Sequence, residues 1–118
     1  MRLVWSRLAL DRALEAKAYI AADNPRAAEK WASGLIDAVA KLKHQPKIGR
    51  IVPEVDLEEY RELVYGNYRV VYRISTAAIF ILTVRHYKRL FDPRNSNQDR
   101  PMRAWRRRSG FSDGDRAD

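Results

Sequence analysis

The sequence predicts an α+β fold, in which an N-terminal strand and a helical hairpin precede a small antiparallel sheet, in the order β-α-α-β-β-β. Three observations predict it. Residues 7–45 hold two stretches with apolar side chains at helical spacing. The short link Asp23-Asn24-Pro25 between them makes the pair an antiparallel hairpin packed on one face of the sheet. Three β-rich runs then crowd into residues 60–85, the first two flanking Gly66-Asn67.

Each element has its own signal. Arg2 to Trp5 reads as a short first strand. Ser6 sits at an N-cap position, where its hydroxyl can accept from an orphan backbone N–H. Leu10, Ala13, Leu14, Ala18 and Ala21 then form one apolar stripe, expected to face the core. Asn24 caps the second helix and Pro25 opens it. Ala28, Trp31, Ala32, Leu35, Val39 and Leu42 give that helix its stripe, and Gln45-Pro46 ends it. Residues 46–59 read as a loop. Tyr60–Tyr65 and Tyr68–Ile74 are strands joined by a two-residue turn in which glycine supplies the positive φ. Ser75-Thr76-Ala77 turns into the last strand, Ala78–Arg85.

Composition narrows the function. The 118 residues suit one domain, placed at 1–93, followed by a basic and flexible tail at 94–118. Nothing approaches the roughly 20 apolar residues of a membrane span, and the N-terminus lacks a signal-peptide core, so a cytoplasmic protein with no membrane partner is expected. There is no cysteine and there are two histidines, which excludes thiolate chemistry and argues against a metal; no cofactor is expected. The net charge is +8, with 16 basic and 11 acidic residues in 1–93 (+5) and 7 and 4 in 94–118 (+3). An anionic partner follows, whether nucleic acid or an acidic protein.

The hairpin turn sets the register, and register assigns faces. Pairing Tyr65 with Tyr68 sets Leu63 against Val70 and Arg61 against Tyr72 on the side expected to meet the helices. Tyr60, Glu62 and Val64 face Arg73, Val71 and Arg69 on the other side, expected to be open. One explanation is solvation, with Glu62 neutralising an arginine diagonally across the strands. The other is a binding face, joined by Arg85, His86, Tyr87, Lys88 and Arg89, that holds phosphate and moves a proton. His86 also fits a strand-end histidine bonded to a loop carbonyl, and Tyr87 an aromatic cap.

The segment Arg61-Glu62-Leu63-Val64-Tyr65-Gly66-Asn67-Tyr68-Arg69-Val70-Val71-Tyr72-Arg73-Ile74, followed by Ile81-Leu82-Thr83-Val84-Arg85-His86-Tyr87-Lys88-Arg89, resembles the RelE/ParE superfamily of bacterial toxins. Gly49-Arg50-Ile51-Val52-Pro53-Glu54 fits the same family's loop, and the resemblance covers roughly residues 2–91. It implies the toxin of a type II toxin–antitoxin module, with a cognate antitoxin that wraps the toxin and also binds operator DNA. The outer face of the helical hairpin and the sheet edge are the expected docking surface.

The superfamily divides in activity. RelE-like members cut mRNA on the ribosome without a metal. That branch implies Arg69 on phosphate, Arg85, His86 and Tyr87 assisting 2′-hydroxyl attack, and Glu54 as the nearest match to an acidic base. ParE-like members poison DNA gyrase and are not enzymes. The Gly-Arg-x-Val-Pro-Glu loop and the Val84-x-His86-x-x-Arg89 ending resemble the ParE type, and Lys47 is the one lysine beside Arg50 in that loop. Tyr87 directly after His86 resembles some ribonuclease members. The candidate target-binding set is Arg50, Arg61, Arg69, Arg73, Arg85, Lys88 and Arg89. A basic nucleic-acid-binding module without toxicity is the third possibility.

Overall fold

A computed structural model describes residues 1–87; Lys88, Arg89 and the tail at 94–118 lie outside them. The elements are β1 (Arg2–Trp5), α1 (Arg7–Asp23), α2 (Pro25–Ala40), a 3₁₀ turn (Lys41–Lys43), β2 (Arg50–Ile51), β3 (Tyr60–Tyr65), β4 (Tyr68–Ile74) and β5 (Ala78–His86). Both caps form as their residue types dictate. The Ser6 hydroxyl accepts from the Ala9 amide, and the Asn24 side chain from the Ala27 amide, with Pro25 opening α2. Among the described residues, no helix is long and apolar enough to cross a membrane.

The sheet is mixed, with strand order β1-β5-β4-β3-β2. The expected strands β3, β4 and β5 run antiparallel, but β1 lies parallel to β5, Arg2 opposite Ala78 and Trp5 opposite Ile81. The helical hairpin carries the chain from β1 at one edge to β2 at the other, and β5 returns beside β1 after β3 and β4. The 46–59 loop also contains β2, two residues long, which pairs with β3 at Arg61 and Glu62. The hairpin register is the one expected, Tyr65 opposite Tyr68 and Leu63 opposite Val70, with Gly66 at φ 58°.

Two departures from the sequence reading alter the faces. First, Val71 pairs with Thr83 but Tyr72 with Ile81, so Leu82 is an extra residue in β5. This bulge sets Val84, Ile81 and Ile79 on the helix side and moves Leu82 to the opposite face. Second, that opposite face is not open. Val52 and Val55 from the loop fold over Val71 and Leu82, with Tyr60 and Phe80 at the margin. Glu62 and Arg69 are consequently buried beside this small second core.

The main core lies between the helices and the sheet, built from Leu35, Val39 and Leu42 against Val70, Tyr72, Ile79 and Ile81. α1 enters it through Ala9, Ala13, Ala16 and Ile20, while Leu10 and Leu14 of the expected core stripe are 47% and 64% exposed. Small side chains let the helix approach the sheet closely, and the larger leucines remain outside.

Tyr72 ties this core to the loop. Its hydroxyl donates to the Pro46 carbonyl at 2.7 Å and accepts from the Gly49 amide at 3.0 Å. Burial pushes its phenol above its ordinary pKa, partly offset by the Gly49 amide and the positive charge of Arg61. A folded-state pKa above the unfolded one leaves stability untouched below about pH 10 and lowers it as pH rises further. Tyr72→Phe should cost about 1–3 kcal/mol at neutral pH through the unpaired loop groups. Urea titrations between neutral and alkaline pH should show that gap narrowing above about pH 10; a constant gap would contradict the proposed linkage.

Candidate functional site

The outer face of the sheet is organised around one carboxylate. Glu62 projects from β3 away from the helices and is 1% exposed. One of its oxygens accepts from Arg69 Nη1 at 2.8 Å, the other from Arg50 Nε at 2.5 Å. The first contact is the diagonal pairing across β3 and β4 that register allows. The second exists because β2 aligns Arg50 with Glu62. A single acid thus links three strands, and two guanidinium groups neutralise its charge where water cannot.

Around it the other candidates divide. Arg85 is the cross-strand neighbour of Arg69 on the same face and is buried like it. Tyr87 is exposed, its ring centre 5.6 Å from the Arg69 guanidinium carbon. Arg73 is further along β4, stacked on Phe80 at 4.8 Å. Arg50 is largely exposed apart from its bond to Glu62. These residues share one face.

Three candidates do not join them. His86 follows Arg85 in an extended strand, so it points to the helix side, where it meets Tyr68 edge-on at 4.9 Å. Arg61 also points that way and is buried. Its Nη1 donates to the Gly49 carbonyl at 2.9 Å and the Lys47 carbonyl at 3.4 Å, its Nε to the Glu58 carbonyl at 3.0 Å. Arg61 holds the loop in place; it is not a surface cation. Glu54 is exposed in the Pro53–Val55 turn, outside the Glu62 cluster.

Gly49, which the sequence assigns only to the family's loop, has a packing role. A Cβ there would lie 2.6 Å from the Glu62 carbonyl oxygen and 2.7 Å from the Tyr72 hydroxyl. The backbone contact cannot swing aside, so Gly49→Ala should destabilise the chain by about 1–3 kcal/mol. Thermal melts of the variant should fall accordingly, and an unchanged melting temperature would mean the loop can shift freely. The signal in the sequence was the Gly49-Arg50 pair itself, a backbone that must pass close to β3 just before the arginine that reaches Glu62.

A second surface lies on the helix side. Between α1 and α2 runs an apolar groove of about 250 Å³, lined by Trp5, Leu10, Leu14, Trp31 and Ile36, with Lys17 on its wall. Trp31 is half-buried and meets Tyr68 at 5.0 Å with its ring tilted by 60°, so the groove rests on the sheet. Leu14 and Ile36 (57% exposed) offer large apolar side chains to solvent. This apolar strip is the candidate interaction surface on the helix side.

Comparison with known proteins bears on the family and the fold. The family model described as "ParE toxin of type II toxin-antitoxin system, parDE" matches residues 3–91. No curated protein matches the sequence. Among solved structures, a chain of the chromosomal ParDE toxin–antitoxin system from P. aeruginosa superposes with a TM-score of 0.61 at 21% identity. The match covers 73% of this chain and 95% of that one, which establishes the likeness in fold. By its family match over the strand, hairpin and sheet described above, the chain belongs to the ParE toxin family of type II toxin–antitoxin systems.

Proposed function

We propose that this chain acts on DNA gyrase without being an enzyme, and that its antitoxin seats an apolar helix in the groove between α1 and α2. The choice of target rests on the engagement of Arg69. Cleavage of mRNA needs that guanidinium open to a phosphate, with a proton-transfer group beside it. Here Arg69 is 4% exposed and held by Glu62. His86 faces the helices, on the other side of the sheet. Residues that would have to converge on one 2′-hydroxyl therefore lie on two faces.

A protein that inhibits by docking needs no such convergence. Arg50, Val64 and Tyr87 are exposed beside the Glu62 cluster. A guanidinium, an aliphatic group and a phenol suit a protein-binding surface, where arginine and aromatic residues are enriched. The +8 charge favours encounter with an acidic antitoxin segment, and the groove offers the apolar contact that retains it. Operator DNA would then be reached through the antitoxin.

Pulse-labelling of new DNA and new protein, just after induction of the chain in bacteria, tests the target. DNA synthesis should stop early while translation continues. An early stop in translation with DNA synthesis intact would instead place the activity at Arg69, Arg85, His86 and Tyr87, as an mRNA endonuclease. Purified chain should also inhibit supercoiling by gyrase.

A further inference from the structure

We propose that the turn following α2 is a separate electrostatic surface that holds the phosphate backbone of duplex DNA. Lys41-Leu42-Lys43-His44 fold as a 3₁₀ turn and its cap, pinned by Leu42, which is fully buried. Lys41, Lys43, His44 and Lys47 are all exposed around that anchor. The Met1 nitrogen donates to the Lys43 carbonyl at 3.3 Å, which brings the start of β1, and with it exposed Arg2, beside the turn.

Arg2, Lys41 and Lys43 differ from the cations on α1. There Arg7 faces Asp11 at 4.0 Å, Arg12 faces Glu15 at 3.1 Å, and Lys17 faces Glu29 of α2 at 3.2 Å. Among the described residues, Arg2, Lys41 and Lys43 have no carboxylate within 4.0 Å. The neighbouring acids are Asp37, one turn back on α2, and Glu58, which Lys47 already shares with Arg61. Cations also complement the C-terminal dipole of a helix. That role explains Lys41 and Lys43 but not Arg2, which comes from β1.

The kind of partner follows from what the turn lacks. Its one large apolar residue, Leu42, is buried, and the exposed Met1 and Ile48 lie singly at its margins, so no apolar cluster sits among the cations. Protein interfaces draw most of their energy from such clusters. Phosphate backbones need only cations in an exposed row, and release counterions on binding. The turn is also remote from the Arg69 end of the sheet. Arg2 pairs with the first residue of β5, whereas Arg69 pairs with Arg85, seven residues further along. At about 3.3 Å per residue that separates them by roughly 23 Å. The inference does not depend on the identity of the toxin's target.

The test is fluorescence anisotropy of a labelled DNA duplex with the full chain, over about 50 to 200 mM salt. Lys41→Glu with Lys43→Glu should weaken binding by about tenfold or more and lower the salt slope by about 2. Arg26→Glu with Lys30→Glu, two exposed cations elsewhere on α2 and the same change of charge, should have a much smaller effect. The Arg106–Arg108 run is present in every variant, so the difference isolates the turn. Circular dichroism should show the double variant folded at the assay temperature, its melt lowered only by the lost helix-dipole complement. Equal losses from both variants would reduce the effect to net charge and overturn the proposal, as would unchanged affinity in the double variant. Binding to polyglutamate with the same dependence, without binding to DNA, would overturn it in favour of an acidic protein.

Discussion

Leu14→Glu combined with Ile36→Glu will leave the toxin folded and deprive it of its antitoxin. Both side chains are more than half exposed, so the isolated chain should lose less than about 1 kcal/mol, since surface changes rarely exceed 0.5 kcal/mol each. In the complex the two carboxylates would lie in an apolar groove with Lys17 as the one cation on its wall. Burying unpaired charges there costs several kcal/mol, and each 1.4 kcal/mol is about tenfold in affinity. Affinity should therefore fall by about two orders of magnitude or more. Titration calorimetry with the cognate antitoxin measures this directly. In cells, co-expressed antitoxin should no longer rescue growth. Unaltered affinity would move the antitoxin off the helical hairpin.

Glu62→Ala will cause the largest loss of stability of any single change on the outer face. It removes the acid that both Arg69 and Arg50 engage and leaves the Arg69 guanidinium uncompensated beneath the second core. Breaking a buried pair from one side typically costs about 3–5 kcal/mol. Replacing both partners by apolar residues, Glu62→Leu with Arg69→Leu, should recover most of that loss, because neither charge is then left behind. Urea unfolding of the two variants gives the comparison. If the single change costs no more than the double one, Glu62 is not the organising charge of this face. The same pair separates stability from function. A double variant that still inhibits gyrase would support Arg69 as a structural residue, whereas loss of ribosome-dependent cleavage would make it a catalytic one.

The two faces of the molecule were legible to different degrees. Caps and turns were read correctly because each depends on one or two residues: the Ser6 hydroxyl, Asn24-Pro25, and Gly66 at positive φ. The β3–β4 register followed from the two-residue turn, and with it the placement of Glu62, Arg69 and Arg73 on one face. The diagonal arginine expected against Glu62 is Arg69. Its burial was not foreseen, because the covering residues, Val52 and Val55, come from a segment whose composition reads as an exposed loop.

α1 and β5 show why periodicity alone falls short. Apolar spacing along α1 supports two stripes, one of leucines at 10 and 14 and one of alanines at 9, 13 and 16. Which stripe turns inward depends on how closely the helix lies against β5, a distance that no residue of α1 encodes by itself. In β5, strict alternation from Val84 would put Leu82 among the helix contacts, but the bulge shifts the phase and puts Ile81 there instead. Beyond the bulge the register is regular, with Arg85 across from Arg69 and His86 across from Tyr68, on opposite faces by simple alternation.

The sequence by itself determined the element order, the hairpin register, the basic character and the family resemblance, because short-range sterics, period-two alternation and charge are local properties of the chain. Only the tertiary structure decided that β1 runs parallel to β5, that the outer face is closed over Glu62, and that the leucines of α1 border a groove. Those outcomes depend on distances between segments remote in sequence, and they are set where large side chains fit and buried charges find partners.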